Sequence, residues 1–249
     1  MTQPPSLLVC ETHEPVRQQL TRRFQSAGFQ VRACDSAQHA LRMLERQRFD
    51  ALLTGLMLRD QDAVTFVREL DILGIRLPTV ISSFQTTLPA PNRIDPDEPD
   101  WVRKAAEQAR VIFTLKASFR YSDRLRPRIL HIEPDAFSAS LVRAALEKHA
   151  DIRQPAADAL PEATSTAAGC DLVILTPVDE NPERLEGIFH RLAADSPNTP
   201  LLLHARYILH AQGRLLPEAC DLGLHGLDLV EVVNTLILHG REAPLCAQA

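Results

Sequence analysis

The sequence predicts an α/β fold in which one plan of strands and helices is carried out twice. Three observations predict it. Short apolar runs alternate with helical segments of roughly ten to fifteen residues, the rhythm of parallel sheets covered on both faces. Corresponding residues recur at a steady offset: Glu11 with Glu133, Asp50 with Asp171, Gly55 with Thr176 and Pro78 with Pro200 lie 121 or 122 positions apart. A repeat of that length is a domain rather than a solenoid unit. Finally, 249 residues that are 45% apolar and 24% charged can build a substantial core.

In the first half, Leu7-Leu8-Val9-Cys10 reads as a buried strand. Pro15 suits the first turn of a helix that runs to about Ser26, with Val16, Leu20 and Phe24 four apart on one face. Gly28 ends that helix and Phe29-Gln30-Val31 opens the second strand. Asp35 or Ser36 caps the next helix, to about Arg46. The third strand starts at Asp50 and precedes a helix from about Asp62 to Leu73, and Pro78 to Ser83 gives the fourth. In the second half, Ile129–Ile132, Asp171–Leu175 and Thr199–His204 read as strands. Ser138–His149, Pro182–Ala194 and Leu229–Leu238 read as helices.

Residues 84–100, with Pro89, Pro91, Pro96, Pro99 and four acids, form a proline-rich acidic loop inserted before a helix that Asp100 caps. A fifth strand is expected around Val111–Leu115, and too few residues follow it for a closing helix before Ile129. The first half is therefore expected to lack its last helix and to leave a flank that another element must cover. The polar stretch Tyr121–Pro127 separates the halves. It sets expected domains at 1–122 and 127–240, with a tail at 241–249.

Composition excludes several functions. Residues 1–125 carry 17 Lys/Arg against 15 Asp/Glu, and residues 126–249 carry 10 against 17. With no dense basic stripe, a nucleic-acid partner is not expected. Five cysteines without a C-x-x-C pair are no disulfide scaffold and suit a reducing compartment. The absence of an eighteen-residue apolar run and of a signal-like start predicts a cytoplasmic protein without a membrane partner.

Cys10-Glu-Thr-His-Glu-Pro-Val-Arg, the stretch from Asp50 to Ala63 and Leu77-Pro-Thr-Val-Ile-Ser-Ser-Phe resemble, in order and spacing, the first, third and fourth strand regions of response-regulator receiver (CheY-like) domains. The chain thus resembles two receivers in tandem. The resemblance implies two flavodoxin-like (βα)5 units with parallel order 2-1-3-4-5 and a site at the carboxyl ends of the strands. It also implies what such a site needs. Two acids after the first strand and an aspartate after the third hold Mg²⁺, and that aspartate accepts the phosphoryl group. A hydroxyl after the fourth strand and a lysine after the fifth read the phosphate. Hard oxygen ligands and an acyl-phosphate both demand carboxylates.

Carried over position by position, the first half keeps Glu11 but has Thr12 at the second acid and Gly55 at the acceptor, with Ser83 as hydroxyl and Lys116 as lysine. Asp50 does not replace the acceptor, lying at the other end of the strand, about 17 Å away. Asp60 and Asp62 read as solvated loop carboxylates. The second half keeps Glu133 and has Pro134, Thr176, Ala205 and His225 at the remaining positions. Neither half is expected to run Mg²⁺-dependent phosphoryl transfer, and no cofactor or metal is expected. Lys116 pairing with Glu11 is expected to lock the first site.

Nine histidines raise a metal site, with His204 and His225 expected near each other, but no acid or cysteine joins them at ligand spacing. Cys10 and Cys170 read as small buried hydrophobes, and Cys34 sits near a helix amino terminus that lowers a thiol pKa. In the last helix, Val230, Val233 and Ile237 face the sheet, while Leu229, Val232 and Leu236 widen the stripe into an interface, within the chain or between two copies. The functional expectation is a non-enzymatic, phosphorylation-independent regulatory module of two pseudo-receivers. It acts by contact with another protein or a second copy of itself. The rivals are a sensor that responds to a ligand or to phosphorylation of Thr176, and an enzyme using Glu11, Ser83 and Lys116.

Overall fold

The computed structural model describes residues 4–83, 111–116, 126–155, 167, 169–176, 182–204, 223–224 and 227–242. The first half supplies β1 (Ser6–Cys10), α1 (Glu14–Ser26), β2 (Gln30–Cys34), α2 (Ala37–Arg46), β3 (Ala51–Gly55), α3 (Ala63–Ile72) and β4 (Thr79–Ser82). A helical stretch at 111–116, here α4, follows. The second half supplies β5 (Arg128–Ile132), α5 (Ala136–Leu146), β6 (Asp151–Arg153), β7 (Leu172–Leu175), α6 (Pro182–Asp195) and β8 (Leu201–Leu203). A short antiparallel pair, β9 (Gly223–Leu224) and β10 (Leu227–Asp228), leads into α7 (Leu229–Glu242).

The strands join into one eight-stranded sheet, ordered β2-β1-β3-β4-β8-β7-β5-β6, with every pairing parallel. Read outward from the centre, each half has the same order, 4-3-1-2. The halves meet where β4 pairs with β8, with Val80, Ile81 and Ser82 opposite Leu201, Leu202 and Leu203. Each half therefore uses the other to satisfy the backbone donors and acceptors of its inner edge.

Side-chain alternation fixes how the halves are related. Leu7 and Val9 point to the face that carries α1, along with Leu203, Leu175 and Ile132 from the second half. Ile129, the counterpart of Leu7, points to the opposite face, among Val142 and Leu146 of α5. A rotation about an axis parallel to the strands relates the two halves, and it puts α1 and α5 on opposite faces.

Through β4, the first half places its strands and helices where the sequence predicts. Val16, Leu20 and Phe24 are buried along α1, and Phe24 meets Phe29 edge-on at 5.2 Å. Gly28 takes φ 91° after the helix, a left-handed conformation that costs a side-chain-bearing residue energy. Ser36 stands at the N-cap of α2 without a side-chain cap bond. Asp60 supplies it instead, its two carboxylate oxygens each accepting at 2.8 Å from the amides of Ala37 and Gln38. Asp62 caps α3, accepting from the Thr65 amide at 2.9 Å. Both acids read as solvated loop carboxylates are thus helix caps. Asp50 and Asp171 play matching parts in the two halves. Each accepts, at 2.7 Å, from the amide that begins the neighbouring first strand, Ser6 and Arg128 respectively.

Several expectations need correction or lie outside the described residues. The strand expected around Val111–Leu115 is helical, with Val111, Thr114 and Leu115 buried at i, i+3 and i+4 while Phe113 is 73% exposed. No fifth strand flanks β4 among the described residues, because β8 occupies that edge. The order 2-1-3-4-5 is therefore kept only through its fourth strand. The expected units 1–122 and 127–240 share a single sheet rather than holding one each. A second strand in the second half, β6, goes unread in the sequence. The inserted loop at 84–100, the stretch where a closing helix is expected to be missing and the tail at 241–249 all lie outside the described residues, apart from 241–242 at the end of α7.

Leu229, Val232 and Leu236 are buried inside the chain at 0, 0 and 3% exposure, beside Val233 and Ile237. They offer no surface to a second copy. Helix α7 crosses instead to the first half and packs on β3 as well as on α6. At Gly240 a Cβ would stand 3.0 Å from Pro78 Cγ, so glycine permits the close approach to the start of β4.

Candidate functional site

The carboxyl ends of β1, β3 and β4 bring Glu11, Gly55 and Ser83 to one end of the sheet, as the parallel topology requires. The strand that carries Glu11 is anchored by its own loop. The Glu11 amide donates to Cys34 O at 3.0 Å, and the His13 amide donates back to Glu11 Oε1 at 2.8 Å. Arg17, one turn into α1, donates to the carbonyls of Glu11 and Thr12 at 2.7 and 3.1 Å. Burial raises the Glu11 carboxyl above its usual range, against the pull of the His13 amide and the Arg17 charge.

The acceptor position is filled by that carboxylate. A Cβ built on Gly55 would lie 2.5 Å from Glu11 Oε2, well inside contact distance. Glu11 therefore lies where an acceptor side chain would stand, and any side chain at this position would have to displace its carboxylate, the far end of a flexible side chain. Thr12, at the second acidic position, directs its hydroxyl to the carbonyls of Met57 and Asp35, at 3.2 and 3.4 Å. Ser83 is 4% exposed, and its amide donates to Leu203 O at 3.2 Å. The β4–β8 junction thus positions the hydroxyl-bearing residue.

Lys116 does not join this group. It ends the helical stretch α4, whose Val111 and Leu115 lie in a core shared by Ala63, Val64 and Ile81 of the first half and Ile129, Val142 and Ile174 of the second, with Thr114 Oγ1 3.6 Å from Met57 Sδ. The expected Lys116–Glu11 ion pair is not formed. The cation that acts on Glu11 is Arg17.

In the second half, Glu133 repeats the local geometry of Glu11. Its Oε1 accepts from the amide two residues on, Asp135, at 3.0 Å, and Asp135 caps α5 by accepting from Ser138 at 2.7 Å. Pro134 is exposed in the loop between them. Thr176, at the acceptor position, is 1% exposed, and its Oγ1 lies 3.5 Å from His204 Nδ1. His204, at the end of β8, is itself buried. Ala205 and His225 lie outside the described residues, so the expected approach of His204 to His225 is left there.

Beneath this site is a histidine whose environment the sequence does not announce. His131, on β5 and 1% exposed, has its Nδ1 2.8 Å from Gln154 Nε2. Gln154 is held in turn by Arg143 Nε at 2.7 Å and by the Ala139 carbonyl at 2.6 Å. Burial, with the nearby charges of His204 and Arg143, depresses the His131 pKa to about 4, so it is neutral near pH 7. Among the described residues, no group of three or more His, Cys, Asp or Glu is placed to hold a metal ion. No described helix is long and apolar enough to cross a membrane.

Residues 7–112 match the family described as Response regulator receiver domain. Among solved structures, the chain is similar to the Francisella response regulator 1452 receiver domain, with 19% identity, 33% of this chain and 69% of that one covered, and TM-score 0.32. It is also similar to FixJ-N, at 20% identity, with 50% of this chain and 100% of that one covered and TM-score 0.32. A third is a probable two-component system response regulator/GGDEF domain protein, at 16% identity, with 96% and 98% covered and TM-score 0.29. No curated protein matches the chain. Over residues 7–112 the family match supports a receiver fold.

Proposed function

We propose that the chain is a phosphorylation-independent regulatory module, built from two degenerate receiver-like halves and acting through protein contact. The observation that carries the reading is the Glu11 carboxylate standing over Gly55, 2.5 Å from where a side chain would begin. Phosphoryl transfer to a receiver needs a carboxylate at that point with Mg²⁺ beside it. Here the residue has no side chain, and its space holds an acid that belongs to another strand. The large apolar side chains Phe113 of α4 and Phe137 and Leu141 of α5, 73, 70 and 37% exposed on one face of the sheet, support action by contact.

The phosphorylation and enzyme rivals are the weaker. Thr176 is 1% exposed, which withholds its hydroxyl from a protein kinase in the folded state. The trio an enzyme would use is less well supported, because Lys116 makes no ion pair with Glu11. The test exposes the protein to acetyl phosphate and Mg²⁺, reading intact mass and melting temperature together. The expected result is no phosphoryl adduct and no change in melting temperature. An acid-labile adduct at any residue of either site overturns the proposal.

A further inference from the structure

The first and second strands place two thiols side by side where nothing in the proposed function uses them. Cys10 ends β1 and Cys34 ends β2, and the parallel register pairs them directly. Both face α2 and α3, among Leu8, Leu52, Ala37 and Ala40, at 0 and 4% exposure. Adjacent strands stand about 4.8 Å apart, inside the range of about 4.4–6.8 Å that disulfide Cα atoms adopt. Each thiol perturbs the other's titration, and Cys34 donates to Ser36 O at 3.8 Å, at the start of α2.

We propose that Cys10 and Cys34 form a redox-active dithiol, oxidised by hydroperoxides to an intrachain disulfide and restored by dithiol reductants. This modification site stands independently of the proposed contact function.

The two thiols are not equivalent. The neighbouring Cys10 thiol holds Cys34 below the usual thiol value against the effect of burial, with the Ser36 backbone contributing. The Cys34 sulfur, together with burial, pushes Cys10 up. Cys34 is therefore the attacking sulfur and Cys10 the resolving one. It also lies on β2, at the outer edge of the sheet, where Gln30 and Arg32 are exposed. Opening that edge strand admits a small oxidant.

In the first step the Cys34 thiolate attacks one peroxide oxygen. An S–O bond forms, the O–O bond breaks, and the departing hydroxide or alkoxide takes a proton and leaves as water or an alcohol. In the second step Cys10 sulfur attacks the Cys34 sulfenic acid. The S–O bond breaks, an S–S bond forms, and the released hydroxide takes the Cys10 proton to leave as water. Two thiols have lost two electrons and the peroxide has gained them. The bond closes beside the first site, since the Glu11 amide donates to Cys34 O and the Thr12 hydroxyl to Asp35 O.

The experiment treats the full chain with hydrogen peroxide, alkylates it in denaturant without reductant and maps the peptides. A peptide pair linking Cys10 to Cys34 is expected, with alkylation of both thiols reduced about tenfold or more and recovered after dithiothreitol. In Cys10→Ala, dimedone should trap the sulfenic acid at Cys34, with the melting curve checking that the variant folds. The proposal is overturned if peroxide-treated wild-type protein alkylates at both thiols as fully as the reduced protein. It is equally overturned if either thiol bridges instead to Cys170, Cys220 or Cys246, or if folded Cys10→Ala yields no dimedone adduct at Cys34.

Discussion

Replacing His131 with leucine tests the buried polar group under the second site, and its size can be worked from the structure. The imidazole is 1% exposed and its pKa falls to about 4 from an ordinary 6.5. Above the unfolded value both states are neutral and the group contributes no pH dependence. As pH drops below it, the unfolded chain takes up a proton that the folded chain refuses, so stability falls until pH passes the folded pKa. The shift of 6.5 − 4 = 2.5, at about 1.36 kcal/mol per pH unit, amounts to about 3 kcal/mol in all. By about pH 5, some 2 kcal/mol of that is lost. The assay is urea unfolding at about pH 7 and pH 5 for the wild type and His131→Leu. Leucine is of similar bulk, and Gln154 keeps its bonds to Arg143 and to Ala139 O. Comparing the two proteins cancels the titration of every other group. The wild type should lose about 2 kcal/mol more than the variant on acidification. Equal losses would mean that His131 is not held neutral, and the burial argument fails.

Gly55→Asp should not create a phosphoacceptor. It should cost about 1–3 kcal/mol by driving Glu11 from its place, and adding Glu11→Ala should recover much of that in thermal melts. Asp60→Ala should lose about 0.5–2 kcal/mol, the usual worth of a helix N-cap, with no comparable effect in Asp35→Ala, measured by chemical denaturation. Leu236→Ala, in a side chain 3% exposed between the halves, should cost about 2–5 kcal/mol, and calorimetry should still show one transition. Two separate transitions in that variant would show that the halves do not fold together.

Local structure was legible in the sequence where the signal is local. The strands around Leu7, Asp50, Pro78, Ile129 and Asp171 announce themselves by apolar runs, and Glu11 with Gly55 can be placed once those strands are parallel. The stretch Val111–Leu115 misleads because Val, Ile, Phe and Thr favour strands, while burial at Val111, Thr114 and Leu115 follows a helical period. Reading that spacing, rather than composition, finds the helix. The Asp60 cap on α2 is invisible because donor and acceptor lie more than twenty residues apart, and only the folded loop brings them together. The partnership of Cys10 with Cys34 was available in principle, since both end strands expected to be neighbours. It is missed when each cysteine is weighed alone. The junction of β4 with β8 leaves no local trace, because either strand reads equally well beside a fifth strand of its own half.

That junction has a consequence for how the molecule meets others of its kind. Joining the halves at their inner strands leaves β2 and β6 as the two outermost ribbons, seven inter-strand steps or about 34 Å apart. They occupy corresponding places under the internal rotation but differ in sequence and length, so each presents its own edge to a neighbour. Gln30 and Arg32 at one end and Asp151 and Arg153 at the other turn outward into water. Charged side chains at such positions discourage the stacking that would turn single molecules into fibrils.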